Sequence, residues 1–352
     1  MKLFACDHCG NTVYFENAHC ERCGHQLGYL PGRNALVSLV ENAGLWSTPV
    51  FPAESYVFCA NARFGACNWL LPADPGADVY CAACCHNETI PAFDAPANLG
   101  RWQIIERAKK RLFYSLLRLA LPLQTRNEDP VHGLSFRFLA DLPIETQKVL
   151  TGHEDGIITI ALAEADDAER EARRTAMGEP YRTLLGHFRH EIGHHYWDLL
   201  VANGPALERF RTLFGDETRD YGAALQTYYA NGAPNDWQQS HISAYATAHP
   251  WEDFAEIWAH YLHITDTAEM AADFGLRARP RVDDNGSHTV RLDFDPYGQG
   301  TIENLADHWV PLASLLNNLN RTMGLPDAYP FILNPMVIEK LGFVHDLVHS
   351  KA

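Results

Sequence analysis

Five consecutive residues, His190-Glu191-Ile192-Gly193-His194, place two imidazoles four positions apart, with a carboxylate directly after the first. On a helix, positions i and i+4 stack one turn above the other, so both rings can reach one tetrahedral zinc ion. Glu191 is turned by about 100° from His190, since a helix has 3.6 residues per turn, and can face a water on the metal. The spacing therefore predicts a catalytic zinc site with Glu191 as general base.

Two further histidines flank this motif and need separate treatment. His187 shares the metal face, but it lies seven positions before His194, which is about 10.5 Å of helix rise and too far for both to bind one ion. We therefore expect His187 to line the cleft behind the ligands. His195 points away from the metal face, and we expect it not to be a ligand.

A catalytic zinc ion takes three protein ligands plus water, so one ligand is missing from the motif. The metzincin pattern requires Gly and His at the positions of Trp197 and Leu200, which excludes that class. The run Gly215 to Gly222 partly matches the aspzincin box, but Thr218 stands where the ligand Asp is required. The third ligand is therefore expected elsewhere in the chain.

A second predicted helix, starting at Pro250, carries two glutamates at helical spacing. An apolar stripe of aromatic residues should bury one side of this helix, and Glu252 and Glu256 share another face at i and i+4. One carboxylate can bind zinc while the other accepts a hydrogen bond from the free N–H of a ligand imidazole. The spacing alone does not decide which glutamate is the ligand.

The helix with His-Glu-x-x-His followed by Glu-x-x-x-Glu resembles the gluzincin metallopeptidases, and the segment from Ser243 to Glu256 resembles their anthrax-lethal-factor branch. This resemblance implies that Glu252 is the zinc ligand, with Glu256 behind it. It also implies that Tyr245, seven residues before Glu252, lies in the active site and stabilises the oxyanion. The whole sequence is similar to bacterial zinc-binding metallopeptidases that carry N-terminal zinc ribbons.

All nine cysteines lie in the first 85 residues, in pairs spaced for metal binding rather than for a disulfide framework. Two closed four-cysteine sites are predicted, and a closed tetrathiolate site is structural. We expect zinc, although iron takes the same ligands. Cys85 is left over. The first predicted site comprises Cys6, Cys9, Cys20 and Cys23, and the second comprises Cys59, Cys67, Cys81 and Cys84.

The 352 residues, 47% of them hydrophobic, allow one large domain or two smaller ones. We predict an α+β chain in which residues 1–95 form a tandem zinc-ribbon module and residues 96–352 form a zincin-like, mainly helical metallopeptidase domain with a small sheet. We expect a helix over 99–121 with a solvated basic face, and further helices from Pro180 to 263 and after 304. Strands are expected over 134–139 and 156–162. The second strand is a candidate edge for binding an extended peptide.

The formal net charge of −16 makes nucleic acid and anionic membranes poor partners. The ribbon module alone has four Lys or Arg and nine Asp or Glu, a net charge of −5. No apolar run is long enough for a membrane span, and the N-terminus lacks an apolar core of signal-peptide length, so we expect a cytoplasmic protein. The expected partners are a protein or peptide substrate and a protein that docks at the ribbons.

Together these patterns predict a zinc-dependent hydrolase, most simply an endopeptidase that cleaves amide bonds with zinc-activated water and Glu191 as general base. Three zinc ions are expected, one catalytic and two structural. The alternative is a non-catalytic zinc-binding scaffold or regulatory protein that uses its ribbons for partner binding. A vestigial site would not need all three ligands and the base to be intact, and here His190, His194, Glu252 and Glu191 are all present.

Overall fold

A computed structural model describes residues 1–74, 76, 78–141, 149–177, 181–298 and 300–350. The chain divides into two compact units, Met1–Arg170 and Glu171–Ala352. Small sheets dominate the first unit and helices the second, so the predicted α+β class is confirmed. The domain boundary predicted after residue 95 stays a prediction.

The strands are short, and all but two of those described lie in or close to the segment that holds the cysteines and the two predicted central strands. They are β1 Phe4–Ala5, β2 Thr12–Val13, β3 Gln26–Leu30, β4 Ala35–Asn42, β5 Leu45–Ser47, β6 Tyr56–Phe58, β7 Leu70–Pro72, β8 Asn87–Thr89, β9 Ser135–Leu139, β10 Gly152–Glu154, β11 Ile157–Ala161, β12 Arg277–Ala278 and β13 Val290–Arg291.

The helices concentrate in the second unit, as expected for the region after Pro180. None of the described helices combines the length and the apolar character that a membrane crossing needs. The helices are α1 Pro96–Arg118, α2 Asp167–Met177, α3 Leu184–Leu200, α4 Leu207–Phe214, α5 Tyr221–Asn231, α6 Pro250–Asp273, α7 Ile302–Thr322 and α8 Pro335–His349.

Two sheets organise the first unit. The strands β3 to β7 form a five-stranded antiparallel sheet in sequence order. The second sheet has the order β10-β11-β9-β8, so β8 from the cysteine-rich segment pairs in parallel with β9. Strand β11 is paired with β9 on one side and with β10 on the other. The expectation that β11 is an edge strand was therefore wrong, because the short strand β10 covers that side.

Helix α1 begins at Pro96, three residues before the predicted start, because proline is well suited to the first helical turn. The expectation of a solvated basic face on this helix was wrong for Lys109 and Lys110, which are 0% and 4% exposed. Both ammonium groups lie 2.9 Å from the buried carboxylate of Glu106, one turn earlier. Opposite charges at i, i+3 and i+4 make this burial tolerable, and a charge run read from sequence does not reveal it.

The second unit is built on the packing of α3 against α6. Helix α3 buries Phe188, Ile192 and Tyr196, three residues of its predicted apolar stripe. Pro180, its expected start, lies outside the described residues, and the helix begins after Thr183, whose side chain accepts a hydrogen bond from Gly186 N. This N-cap fixes the start of the helix later than the proline suggested.

Helix α6 also buries the stripe predicted for it, which includes Phe254, Ala255 and Trp258. The two helices approach most closely at Gly193, where an added Cβ would lie 3.0 Å from Ala255 Cα and 3.1 Å from Trp258 Cβ. Glycine at position 193 therefore allows the two backbones to pack together. The face of α3 that carries the motif histidines is consequently held against the glutamates of α6.

The buried charges of α1 generate a prediction about stability. Replacing Glu106 by Ala leaves the ammonium groups of Lys109 and Lys110 without their carboxylate, and we expect the free energy of unfolding to fall by about 3–5 kcal/mol. Denaturant titration of the zinc-loaded protein measures this loss. Arg107→Ala is the matched control, because Arg107 is the exposed neighbour in the same helix. Equal effects of the two substitutions would contradict a stabilising role for the buried network.

Candidate metal centre

Three donor side chains from two helices meet in the second unit: His190 and His194 from α3 and Glu252 from α6. One donor atom from each residue lies within 4.8 Å of the other two. The carboxylate oxygen Oε2 of Glu252 is 3.0 Å from His190 Nε2 and 3.7 Å from His194 Nε2. The structure thus brings together the three residues that the sequence analysis named as ligands.

This donor set fits a tetrahedral zinc ion in chemistry and in spacing. Zinc binds imidazole nitrogen and carboxylate oxygen at about 2.0–2.2 Å, so two tetrahedral ligands lie about 3.3 Å apart. The observed separations of 3.0 and 3.7 Å lie on either side of this value. Three protein donors leave one tetrahedral position for water or substrate, which is the arrangement of catalytic rather than structural zinc.

The start of α6 places Glu252 opposite the histidines. Pro250 occupies the first helical turn, and the His249 side chain caps the helix by accepting a hydrogen bond from Trp251 N at Nδ1. Because Nδ1 accepts, the ring proton lies on Nε2, which donates to the carbonyl of Arg219 at 3.1 Å. Glu252 then falls in the first turn of α6 and is 1% exposed.

Glu256 lies one turn further along α6 and holds the far side of the first histidine. Its Oε1 accepts a hydrogen bond from His190 Nδ1 at 2.9 Å, which leaves Nε2 facing the centre. Its other oxygen accepts from the Ser243 hydroxyl at 2.6 Å, and the Ser243 oxygen also accepts from Ala246 N. The same serine therefore links Glu256 to the short 3-10 helix that contains Tyr245.

The charges of the centre compensate one another despite burial. Burial opposes the charged imidazolium, but the adjacent carboxylates of Glu252 and Glu256 raise the pKa of His190 well above its usual value. Burial likewise opposes the carboxylate of Glu252, but the charges and hydrogen bonds of His194 and His190 lower its pKa well below the usual value. Glu252 is thus held as an anion, the form in which a carboxylate binds zinc.

The other acidic residues near the start of α6 and α5 are engaged elsewhere. Asp253 is buried and its Oδ2 accepts a 2.5 Å hydrogen bond from Lys340 Nζ. Asp220 caps α5 by accepting a hydrogen bond from Ala223 N at 2.9 Å. Neither belongs to the donor group, which therefore contains one carboxylate from α6 and none from α5.

The neighbouring histidines of α3 do not join the donor group either. His187 lies in the first turn of α3 and is half-buried. His195 is buried, and its ring packs edge-on against Tyr196 at a centroid distance of 5.2 Å. Their helical positions account for this, because His195 is rotated away from the centre and His187 is too far along the axis.

Two predicted catalytic side chains have polar groups without a hydrogen-bond partner among the described residues. Glu191 is half-buried, and its carboxylate makes no hydrogen bond to a described residue. Tyr245 is also half-buried, with its ring centroid 6.1 Å from that of His190 and 5.7 Å from that of Tyr228. Its hydroxyl has no hydrogen-bond partner among the described residues. Both polar groups thus remain available to a ligand.

The sequence analysis missed a second tyrosine at the centre. Tyr221, the first residue of α5, donates a hydrogen bond from its hydroxyl to Glu252 Oε1. Its ring meets the edge of Trp251, and the Trp251 ring lies 4.0 Å from that of His194. Asp220 marks a helix start in the sequence, but no spacing pattern links position 221 to a glutamate 31 residues later.

The cysteines form two further donor groups in the first unit, and Cys85 belongs to neither of them. In a zinc tetrathiolate with Zn–S bonds of about 2.3 Å, the sulfurs lie about 3.8 Å apart, whereas a disulfide bond is about 2.05 Å. The measured Sγ–Sγ distances fit the metal site: 3.7 Å for Cys6–Cys23, 3.6 Å for Cys9–Cys20 and 3.7 Å for Cys67–Cys81.

The second cysteine group is tied to α1. Lys110 Nζ lies 3.6 Å from Cys84 Sγ and donates to the carbonyl of Ala66 at 2.9 Å. Four thiolates around one zinc ion carry a net charge of −2. The buried ammonium group partly offsets this charge.

A His/His/Glu donor set across two packed helices, together with two four-cysteine groups, defines a zinc-binding protein. Comparison with protein families agrees: residues 98–347 match the family described as "Putative zinc-binding metallo-peptidase", and residues 3–95 match a zinc-ribbon domain. The chain belongs to this zinc-binding metallo-peptidase family.

Two relatives show how far the similarity extends. An uncharacterized protein of Mycobacterium bovis and one of Mycobacterium tuberculosis are each 41% identical to this chain over 353 residues, which covers 100% of this chain and 96% of each relative. No solved structure matches the chain. The similarity therefore includes the ribbon segment as well as the helices of the metal centre.

The two glutamates of α6 are predicted to differ in their effect on metal binding. Glu252→Ala removes a donor and should lose the zinc of the His/His/Glu site while the four-cysteine sites keep theirs. Glu256→Ala removes only the partner of His190 Nδ1 and should weaken zinc affinity by about 10- to 100-fold. Chelator competition followed by elemental analysis measures both effects, with the exposed Glu208→Ala as control. If Glu256→Ala lost the ion and Glu252→Ala kept it, the two roles would be reversed.

Proposed function

We propose that the protein is a zinc-dependent endopeptidase of gluzincin type that cleaves amide bonds in proteins or peptides. The observation that carries this proposal is the open His190, His194 and Glu252 donor set with an unpaired carboxylate, Glu191, beside it. A structural zinc site would be closed by a fourth protein ligand and would need no base.

His190, His194 and Glu252 would hold the ion, and Glu256 would orient His190 through its Nδ1. When bound, zinc polarises a carbonyl oxygen and lowers the pKa of water toward neutrality. The protein supplies the remaining chemistry through groups that already border the centre.

Glu191 is the proposed general base. It follows His190 on α3 and is turned by about 100° from it, so its carboxylate borders the donor face without competing for the metal. A carboxylate oxygen of Glu191 takes a proton from the attacking water. The same oxygen then gives that proton to the leaving amine, and the peptide bond is broken.

Tyr245 is the proposed donor to the oxyanion. Its ring lies beside His190, and its hydroxyl is not occupied by another described residue. Burial, followed by the negative charge of Glu252, raises the pKa of Tyr245, so the hydroxyl keeps its proton and can donate it in a hydrogen bond. A preorganised donor of this kind stabilises the charge that develops on the carbonyl oxygen.

A cleft of about 410 Å³ lies beside α5; its lining includes none of the donor residues and neither Glu191 nor Tyr245, so we assign it to a part of the substrate chain away from the cleaved bond. Tyr228, whose ring packs against Tyr245, forms part of its wall. Thr247 and Ala248, two and three residues after Tyr245, form another part. Small side chains of α5 line part of the remainder, together with the charged residues Arg219 and Asp220.

The two four-cysteine groups are proposed to hold structural zinc, because all four positions of each tetrahedron are filled by sulfur. The family description favours zinc over iron at these sites. We also propose that the acidic ribbon segment docks a protein partner or substrate rather than nucleic acid, since its net charge of −5 repels phosphate.

Metal content tests the assignment of the sites. Two four-cysteine sites and one His/His/Glu site should give about three zinc ions per chain. Elemental analysis of the purified protein measures this ratio, and Glu252→Ala should reduce it to about two. A wild-type ratio of one or less would contradict the ribbon assignment, whereas a ratio of two in both proteins would remove the metal from the proposed active site.

Substitution of the base tests the chemistry. Glu191→Gln should keep all zinc, since Glu191 is not a donor, but slow peptide cleavage by a factor of about 10² to 10⁴. Zinc-loaded wild-type and variant proteins would each be incubated with a proteome-derived peptide library, and new termini counted by mass spectrometry. Glu208→Ala is the control for an exposed acid in the same unit.

The expected outcome is a set of new termini that requires wild-type protein and disappears with Glu191→Gln. Equal cleavage by wild type and Glu191→Gln would remove Glu191 as base. No cleavage by wild-type protein with a full complement of zinc would contradict the peptidase assignment and favour the non-catalytic scaffold.

A further inference from the structure

The carboxylate of Glu252 presents its two oxygens to different groups. Oε2 faces the Nε2 atoms of His190 and His194 at 3.0 and 3.7 Å, while Oε1 accepts the hydroxyl proton of Tyr221. A carboxylate that binds zinc through one oxygen can rotate unless the other is held. The Tyr221 hydroxyl supplies that second point of attachment, and it reaches Glu252 from a different helix.

Helix α5 has few other anchors. It is fully described, and Ala224 is its single buried residue. Asp220 caps its N-terminus, and the ring of Tyr221 packs edge-on against His249 and Trp251 at centroid distances of 5.3 and 5.6 Å. Tyr221 is therefore the residue through which α5 reaches the metal centre by both ring packing and a hydrogen bond.

The two tyrosines near the centre are in different states. The Tyr221 hydroxyl is engaged with Glu252, whereas the Tyr245 hydroxyl has no hydrogen-bond partner among the described residues. An engaged hydroxyl would have to break its bond to Glu252 before it could donate to a reacting carbonyl. The geometry thus separates a residue that positions a ligand from a residue that can contact substrate.

We propose that Tyr221 is a positioning residue: its hydroxyl fixes the Glu252 carboxylate with Oε2 toward the two histidines, and the same hydrogen bond docks α5 beside the metal centre. This inference rests on the proposed function insofar as Glu252 is taken as a zinc ligand. The proposal adds Tyr221 and α5 to the metal centre, and the family resemblance assigns neither of them to it.

The proposal links two equilibria, the docking of α5 and the binding of metal. If docking of α5 favours the metal-binding orientation of Glu252, then bound metal must favour docking of α5 by the same factor, because coupling between two binding events is reciprocal. Residues of α5 line the cleft of about 410 Å³, together with Thr247 and Ala248. Loading the centre with metal should therefore also complete one wall of the cleft that we assign to substrate.

The test is Tyr221→Phe, which removes the hydroxyl and keeps the ring on Trp251 and His249. The matched control is Tyr229→Phe on the same helix, because Tyr229 is 64% exposed and has no hydrogen-bond partner among the described residues. Zinc is the probe. Chelator competition gives the zinc affinity of the His/His/Glu site, which is recognised as the site that loses its ion in Glu252→Ala. Hydrogen exchange gives the protection of the α5 amides.

Tyr221→Phe should weaken zinc binding at this site by about 10- to 100-fold, as loss of a ligand's hydrogen-bond partner does, and leave the four-cysteine sites loaded. At matched partial zinc loading, the α5 amides should exchange faster in Tyr221→Phe than in wild type. Tyr229→Phe should match wild type in both measurements.

Unchanged zinc affinity and unchanged α5 exchange in Tyr221→Phe would overturn the proposal. So would a variant that binds zinc like wild type but loses kcat at constant KM, since that result would place Tyr221 on the reacting atoms. These failures differ from failure of the proposed function. In that case wild-type protein cleaves no peptide, while the effect of Tyr221→Phe on zinc affinity and on exchange is still observed.

Discussion

The close packing of α3 against α6 is the constraint on which the metal centre depends. At Gly193 the two backbones are so near that an added Cβ would lie 3.0 Å from Ala255 Cα. At this separation a short carboxylate side chain on α6 reaches imidazole nitrogens on α3 within 3.0 to 3.7 Å. A wider spacing would leave the histidines as a pair without a third donor, so the glycine inside the motif serves the metal centre through helix packing rather than through chemistry of its own.

The His/His/Glu centre and the second four-cysteine group both bury charge and compensate it differently. At the metal centre the carboxylates of Glu252 and Glu256 face imidazoles, which keeps the acids ionised despite burial. At the second four-cysteine group, Lys110 stands beside the sulfur of Cys84 and is itself paired with Glu106. An isolated buried charge costs several kcal/mol, so each group must be fully partnered to be tolerated. The requirement for partners explains why both sites extend beyond their donor atoms.

The walls of the metal centre are unequal in burial, and this difference suits the peptidase function that we propose. Helices α3 and α6 are anchored by buried aromatic residues, whereas α5 contributes Tyr221 and a mostly exposed surface. Groups that must hold their geometry sit on the buried helices, and the groups that border the cleft sit on the more exposed helix and on the turn at Tyr245. A donor set on rigid elements, beside a more accessible wall, is compatible with the proposed peptide hydrolysis.

The sequence by itself determined the donor types, the helical faces that carry them and the division of the cysteines into two groups of four, because helix period and metal-ligand spacing are local properties. It identified His190, His194 and both α6 glutamates in this way, but the choice of Glu252 needed family resemblance. Only the tertiary structure decided which oxygen faces which nitrogen, that β11 is covered by β10, and that Lys109 and Lys110 are buried. It alone brought Tyr221 to Glu252. Such contacts join segments far apart in the chain, and no periodicity within one segment encodes them.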